Sequence, residues 1–248
     1  MRLTRDQVFH RTNPVKTRRA EILYARQLRM VAEQVGILIG GFGKDHPSRI
    51  EQIMHSMRRY SDLLEGWAQS AASKMIASID MSDRDAWRAL SQQMSVAVQK
   101  EVETTPVGEV VKRLLAEQVT LIKSIPLDAA QRVHELTIKG LSDSTRGAEI
   151  EKEILRSGDV AKARARLIAR TEIQRTASIF TQARAEHIGS IGYIWRTTGD
   201  SDVRSSHRHM NGKFVRWDSP PTLDDGTKTH AGQIYNCRCF PEPVFPQD

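Results

Sequence analysis

The hydrophobic period of this 248-residue chain changes once, near Gly189, and that change limits the fold to two kinds of structure joined in series. Before it, apolar residues recur at spacings of three and four. Ile22, Leu23, Leu28, Val31, Val35 and Leu38 do so between Arg18 and Ile39, and the run stops at "GGFG". Pro47 and Ser48 open a longer pattern through Ile53, Met57, Leu64, Trp67, Ala71, Met75 and Ile79. Ser82 with Asp85 predicts a new helix start by its capping-box pattern. Thr105-Pro106 and Pro126 each predict a restart. Gly140 is read as a helix end, and Gly158-Asp159 as a stop followed by a start. From Val160 to Ile188 there is no proline or glycine, which predicts one long helix.

After Gly189, "GYIWRTT" is β-branched and aromatic, while "KFVRW" and "QIYNCRCF" alternate with a period of two. Turn-rich stretches separate them: "GDSD", "MNGK" and "DSPPTLDDGTKTHAG". The expected fold class is α+β: a long-helix N-terminal bundle or arm, then a small β-containing, loop-rich C-terminal module. Helices this long over a modest core also predict that the N-terminal half is stabilised by a partner or by self-association. No run of about 18 apolar residues exists, so no membrane contact is expected. The N-terminus is basic and lacks the apolar stretch of a secretory signal.

Both cysteines fall in "HAGQIYNCRCF". In a strand, residues i and i+2 share a face, so Cys237 and Cys239 would present two sulfurs side by side, with Cα atoms roughly 6.6 Å apart. That is near the upper limit for a disulfide. His207 and His209 in "SHRHMNG" follow the same i, i+2 spacing, and His230 lies seven residues before Cys237. Two thiolates and two imidazoles suit tetrahedral zinc. Cys237, Cys239 and His207, with His230 or alternatively His209 as fourth ligand, form a candidate structural zinc site. The bland alternative is a pair of buried thiols packed as small hydrophobes. Asp202, Arg204, His207 and His209 also form a polar cluster that metal-assisted hydrolysis could use. Paired carboxylates and a phosphate-cradling glycine loop are missing, so no catalytic residue is assigned.

The net charge is +7, which favours anionic partners. Lys162, Arg164, Arg166 and Arg184 make the long helix basic, and Arg18 and Arg19 close a basic N-terminal arm over residues 1–17. These are candidate contacts to DNA phosphates, or simply a solvated face. In "ARTEIQRT", Glu172 and Arg175 are spaced to pair on one helix face.

Several pieces follow one another in a recognisable order from about Ile125 to Pro243. "IP" leads into a helix ending "KGLSD"; then come "ARARLIARTEIQRTASIFTQAR", "YIWRTTGDSDVRSSHRHMNGK", a "PP" loop and "HAGQIYNCRCFPEP". Together they resemble the phage head morphogenesis family, which includes the phage Mu F-like and SPP1 minor capsid proteins. The resemblance makes residues 125–248 a Mu F-like module and residues 18–124 a helical portal- or capsid-interaction region. It carries over Arg170, Thr171 and Glu172 of the helix, and Asp202, Arg204, His207, Gly212, Cys237, Arg238 and Cys239 of the C-terminal unit, as motif residues holding that unit together. It implies a minor head protein inside the virion, near the portal, acting in procapsid assembly. Its expected partners are the portal protein, scaffold or major capsid protein, and packaged DNA contacted without sequence preference. A catalytic role is not implied. Relatives with a toxin-like or transferase domain carry it after this module, and none is expected in the five residues after Pro243. The competing reading is a zinc-dependent nucleic-acid-acting enzyme or toxin built on the C-terminal module.

Overall fold

The computed structural model describes residues 14–41, 49–91, 100–101, 103–142 and 147–245. Arg2, Arg5 and Arg11 of the basic arm, Pro47 and Ser48 lie outside these residues. Among the described residues the elements run in this order: α1 (Arg18–Gly40), α2 (Ile50–Leu63), α3 (Glu65–Ser91), α4 (Gly108–Ser142), α5 (Gly147–His187), β1 (Gly192–Arg196), α6 (Ser205–Arg208), β2 (Phe214–Arg216) and β3 (Phe240–Val244). The fold class is α+β. The chain divides into two compact units that are not contiguous in sequence. A helical unit takes residues 18–77 and 111–172; a mixed unit takes residues 1–17, 78–110 and 173–248. Helices α3 and α5, and the first residues of α4, run across this division.

In the helical unit, α1 buries Tyr24, Leu28, Val31, Val35 and Ile39, which recur at three and four residues along one face. Three of the predicted breaks are absent. Helix α4 runs through Pro126, which has no N–H to give. Its neighbouring carbonyls find other donors: Ser124 Oγ donates to Leu121 O at 2.9 Å, and Ser61 Oγ of α2 donates to Lys123 O at 3.0 Å. Ile122 and Ile125, both fully buried, hold the turn in place from the core side. Helix α3 passes through Ser82, because Ile76, Ile79, Asp83 and Trp87 continue a single buried face across it. Helix α5 passes through Gly158.

Gly158 is a packing glycine rather than a helix stop. A Cβ there would stand 3.1 Å from Gly36 Cα, closer than side chains ordinarily come, whereas a Cβ on Gly36 would stand 3.9 Å from Gly158 Cα. Opposite responses are therefore expected from the two sides of one crossing. Gly158→Leu should cost about 1–3 kcal/mol by forcing the helices apart. Gly36→Ala should be neutral or stabilise by up to about 1 kcal/mol through helix propensity. Urea unfolding followed by far-UV circular dichroism reads both, and equal destabilisation by the two substitutions would refute the asymmetry.

A buried polar relay crosses the same unit. The Tyr24 hydroxyl donates to Gln118 Oε1 at 2.9 Å, and Gln118 Nε2 donates to Glu172 Oε2 at 2.5 Å. Burial, then the Glu172 charge, pushes the Tyr24 phenol well above its ordinary value. Thr171 and Glu172 of the "ARTE" motif are thus core residues, with Arg170 half-buried beside them.

In the mixed unit, an antiparallel sheet has the order β2-β1-β3. Tyr193 and Trp195 alternate onto the buried face of the central strand, where they join Trp87, Val215 and Trp217. The predicted strand over "QIYNCRCF" is not one: residues 233–239 are turns and extended coil, and pairing begins at Phe240. β3 is "FPEPV", a sequence that two prolines would exclude from a central strand. It lies at the sheet edge, with Pro241 and Pro243 opposite Trp195 and Tyr193, so a missing N–H can be spared on the outer side.

Candidate metal centre

The site is built from two short pieces brought together on the core of the mixed unit. The first is α6. Arg204 caps it in an extended conformation, and Ser206 Oγ donates to Asp225 Oδ2 at 2.9 Å. A helix turns about 100° per residue, so His207 and His209 point apart rather than sharing a face. His207 is 2% exposed and stands edge-on to the Trp195 ring at 5.6 Å. The His209 side chain is 63% exposed and contacts Asp224. The predicted pairing of the two histidines is corrected here: it assumed a strand where the chain forms a helix.

The segment between α6 and β2 fixes that placement. Gly212 takes φ +83°, a conformation that favours glycine, and its N–H donates to Trp195 O at 2.8 Å. Asn211 Oδ1 accepts from Thr197 N at 3.0 Å. "NGK" therefore stitches the end of α6 to the end of β1.

The second piece is "NCRC". Asn236 takes a left-handed φ of 53°, and Cys237 N–H donates to Ile234 O at 3.3 Å. From there the cysteines face inward and Arg238 faces out. Both thiols are buried and free. Cys237 Sγ lies 3.4 Å and Cys239 Sγ 3.5 Å from His207 Nδ1. Outside, Arg238 holds Asp200 at 2.8 Å and Asp202 at 3.3 Å. The Arg204 guanidinium lies 4.5 Å over the Tyr235 ring and donates to Tyr235 O.

These three side chains fit a metal. Zinc–sulfur bonds of about 2.3 Å and zinc–nitrogen bonds of about 2.05 Å at a tetrahedral angle put sulfur and nitrogen roughly 3.6 Å apart, against the 3.4 and 3.5 Å found here. Two thiols and an imidazole are also the borderline-soft donors that zinc takes. Among the described residues, His207, Cys237 and Cys239 are the one group of three whose ligand atoms lie within 4.8 Å of each other. Around them, the Cys239 N–H donates to Cys237 Sγ at 3.4 Å, the kind of outer contact that steadies a thiolate ligand. His207 Nε2 is buried with no hydrogen-bond partner among the described residues, and the ring packs perpendicular to that of Trp195. The two thiols are electrostatically unlike. The hydrogen bond from Cys239 pulls Cys237 well down, and the His207 ring and Cys239 N–H add to it against burial. That same bond, burial and the Cys237 charge push Cys239 up.

His230 is not brought to this group. Its Nδ1 lies 3.1 Å from the Tyr193 hydroxyl, which also accepts from Ala231 N–H at 3.1 Å, and burial lowers the imidazole below its ordinary value. Ala231 O accepts from Ser178 Oγ of α5 at 2.6 Å. "HAG" thus anchors the final loop to the sheet and to α5.

Of the basic candidates, Arg18, Arg19 and Arg166 are exposed. Lys162 pairs with Asp159 at 3.3 Å, and Arg164 pairs with Asp128 at 2.5 Å. Arg184 is corrected: it is 1% exposed, with its guanidinium on Asp80 and Asp83. Asp83 is fully buried and also accepts from Thr181 Oγ1 at 2.6 Å. Sequence reasoning missed this network. The available signal was an aspartate set on an apolar face, between Ile79 and Trp87.

Comparison with known proteins agrees with the order of motifs. Residues 131–241 match the family described as Phage Mu protein F like protein. An uncharacterized protein of Haemophilus influenzae is 27% identical over 251 residues, which cover 94% of this chain and 55% of that protein. A protein of Enterococcus faecalis named NAD(+)--arginine ADP-ribosyltransferase EFV is 31% identical over 122 residues, covering 45% of this chain and 25% of that one. The chain thus spans about half of the first relative and a quarter of the second. No solved structure matches it.

Proposed function

We propose, from the premise that the chain belongs to the phage head morphogenesis family through residues 131–241, that it is a minor head protein of a tailed bacteriophage. It acts in procapsid assembly and stays inside the head near the portal. The family match is the observation that carries this reading. The portal protein is its main partner, with scaffold or major capsid protein as further contacts. The exposed apolar residues Leu23, Met30 and Ile37, one heptad apart on α1, support association with another protein. No helix of the described residues is long and apolar enough to cross a membrane. Mass spectrometry of gradient-purified particles tests the placement: peptides of this chain should copurify with heads at a few copies per portal, and their absence from purified heads would overturn it.

Contact with packaged DNA is the second part of the reading. The net charge of +7 and the exposed Arg18, Arg19 and Arg166 support it. Binding of this kind releases counterions, so log affinity falls linearly with log salt, by roughly 0.9 per phosphate contact. Random duplex DNA should bind with an affinity that drops steeply from 50 to 200 mM salt. Combined Arg18→Ala, Arg19→Ala and Arg166→Ala should lower the slope by about 1–3, while Arg184 takes no part. Salt-insensitive or absent binding would remove DNA from the account.

At the metal centre, His207, Cys237 and Cys239 hold one structural zinc that clasps α6 to the C-terminal segment. A second reading comes from the Enterococcus relative, whose name is that of an ADP-ribosyltransferase. Because the shared stretch is a quarter of that protein, we assign it to the common module rather than to transfer chemistry. Incubation with labelled NAD+ and arginine-containing acceptors decides this, since labelled acceptor would favour the enzyme.

A further inference from the structure

We propose that Asp202 supplies the fourth ligand to the metal held by His207, Cys237 and Cys239; the proposal rests on the zinc reading above. Three ligand atoms leave one vertex of a tetrahedron open. The core closes the group on one side with Trp195. On the other side it opens into a pocket lined by Thr198, Asp202, Arg204, Asn236 and Arg238. Asp202 is the one carboxylate in that lining, and the lining holds no further histidine or cysteine. The two histidines that the sequence offered for the position are engaged elsewhere, His230 with Tyr193 and His209 with Asp224.

Asp202 can be redirected at little cost. Its side chain is 77% exposed and its one side-chain contact is Arg238 at 3.3 Å, while Arg238 keeps the closer Asp200 at 2.8 Å. Its backbone is already fixed beside the pocket, with Asp202 N–H donating to Asp200 Oδ1 at 3.2 Å. Charge also fits. A divalent ion with two thiolates and a carboxylate carries a net charge of −1, and Arg204 and Arg238 line the same pocket. The spacing Asp202, Arg204, His207 thus has one physical reading: ligand, charge balance, ligand.

The test uses the full chain, with Asp202→Asn, Asp202→Ala and Asp200→Asn as variants. Zinc affinity is measured by competition with a chromophoric chelator, and the site is viewed by cobalt(II) absorption with and without azide. Asp202→Asn and Asp202→Ala should weaken zinc binding by at least about 10- to 100-fold, the loss that removing even an outer partner of a ligand causes. Asp200→Asn should not. Wild-type cobalt spectra should ignore azide, and the Asp202 variants should respond to it, while the thiolate-to-metal bands persist in both. Wild-type affinity in the Asp202 variants, or a wild-type spectrum that already shifts with azide, would overturn the assignment and leave the vertex to solvent. A wild-type chain that binds neither metal sinks the zinc reading itself. Asp202 is exposed, so unchanged far-UV circular dichroism separates ligand loss from misfolding.

Discussion

Replacing Arg184 by leucine is expected to destabilise the protein by about 3–5 kcal/mol near neutral pH, the range for breaking a buried ion pair by removing one partner. For a chain of this size that lowers the melting midpoint by about 10 °C. Arg184 is 1% exposed and spans Asp80 and Asp83, of which Asp83 is fully buried. Without the guanidinium, Asp83 keeps only the Thr181 hydroxyl. The loss should depend on pH in a defined direction. Burial raises the Asp83 carboxyl to about 6, with the Arg184 charge pulling back. That value lies above the unfolded carboxylate value of about 3.9. The proton therefore binds the folded state more tightly, and its stabilisation is complete below about pH 4 and lost as pH rises through 6. Removing Arg184 takes away the main influence holding Asp83 down. The deficit of Arg184→Leu should thus shrink between pH 7.5 and pH 5, as Asp83 takes a proton. Arg184→Leu combined with Asp83→Leu should recover much of the loss, since well-packed apolar groups replace a buried pair at little cost. Urea unfolding read by tryptophan fluorescence checks this, because Trp87, Trp195 and Trp217 all lie in the core of this unit. A deficit independent of pH would show that Asp83 does not carry it.

The two periods in the sequence carried the architecture. Where three- and four-residue spacing ran long, helices formed, and Tyr193 and Trp195 alternated as a half-buried strand should. What the sequence hid was context. Pro126, Ser82 and Gly158 are local break signals, and each was overridden by tertiary contacts: Ser61 Oγ on Lys123 O, the burial of Asp83 against Thr181 and Arg184, and the close approach of Gly36. Alternation in "QIYNCRCF" was real but came from extended coil, while the true third strand was masked by prolines that only an edge position tolerates. His207 with the two cysteines was legible, because "SHRHMNG" and "NCRC" could be matched in order. That neither His230 nor His209 joins them was not, since it turned on a four-residue helix and on the Tyr193 hydroxyl. Arg184 reads like Arg164 or Arg166 in sequence; only the partners on α3 tell a core cation from a surface one.

Stripping metal from the wild-type chain is the second large effect expected. A ligand that binds only the folded state stabilises it by RT ln(1 + [L]/Kd), about 4 kcal/mol when free metal is a thousandfold above Kd. A strong chelator should therefore lower the wild-type melting midpoint by about 10 °C. The same chelator should leave Cys237→Ser/Cys239→Ser unmoved, because that variant has no site to empty. Comparing each protein with itself, with and without chelator, matters here. Both sulfurs are in the core, 3% exposed, and the serine variant melts lower for packing reasons alone. Only the chelator-dependent difference measures the metal. The loss should be local in origin: the clasp joins α6 to the segment before β3, and its release leaves the loop ends to the hydrogen bonds that "NGK" and "HAG" make with residues such as Trp195, Thr197, Tyr193 and Ser178. Proteolysis should then cut between residues 197 and 239 in the chelated chain before it cuts α5. Identical melting and cleavage in both conditions would mean that the two thiols pack without a metal, as small hydrophobes beside Trp195 and His207.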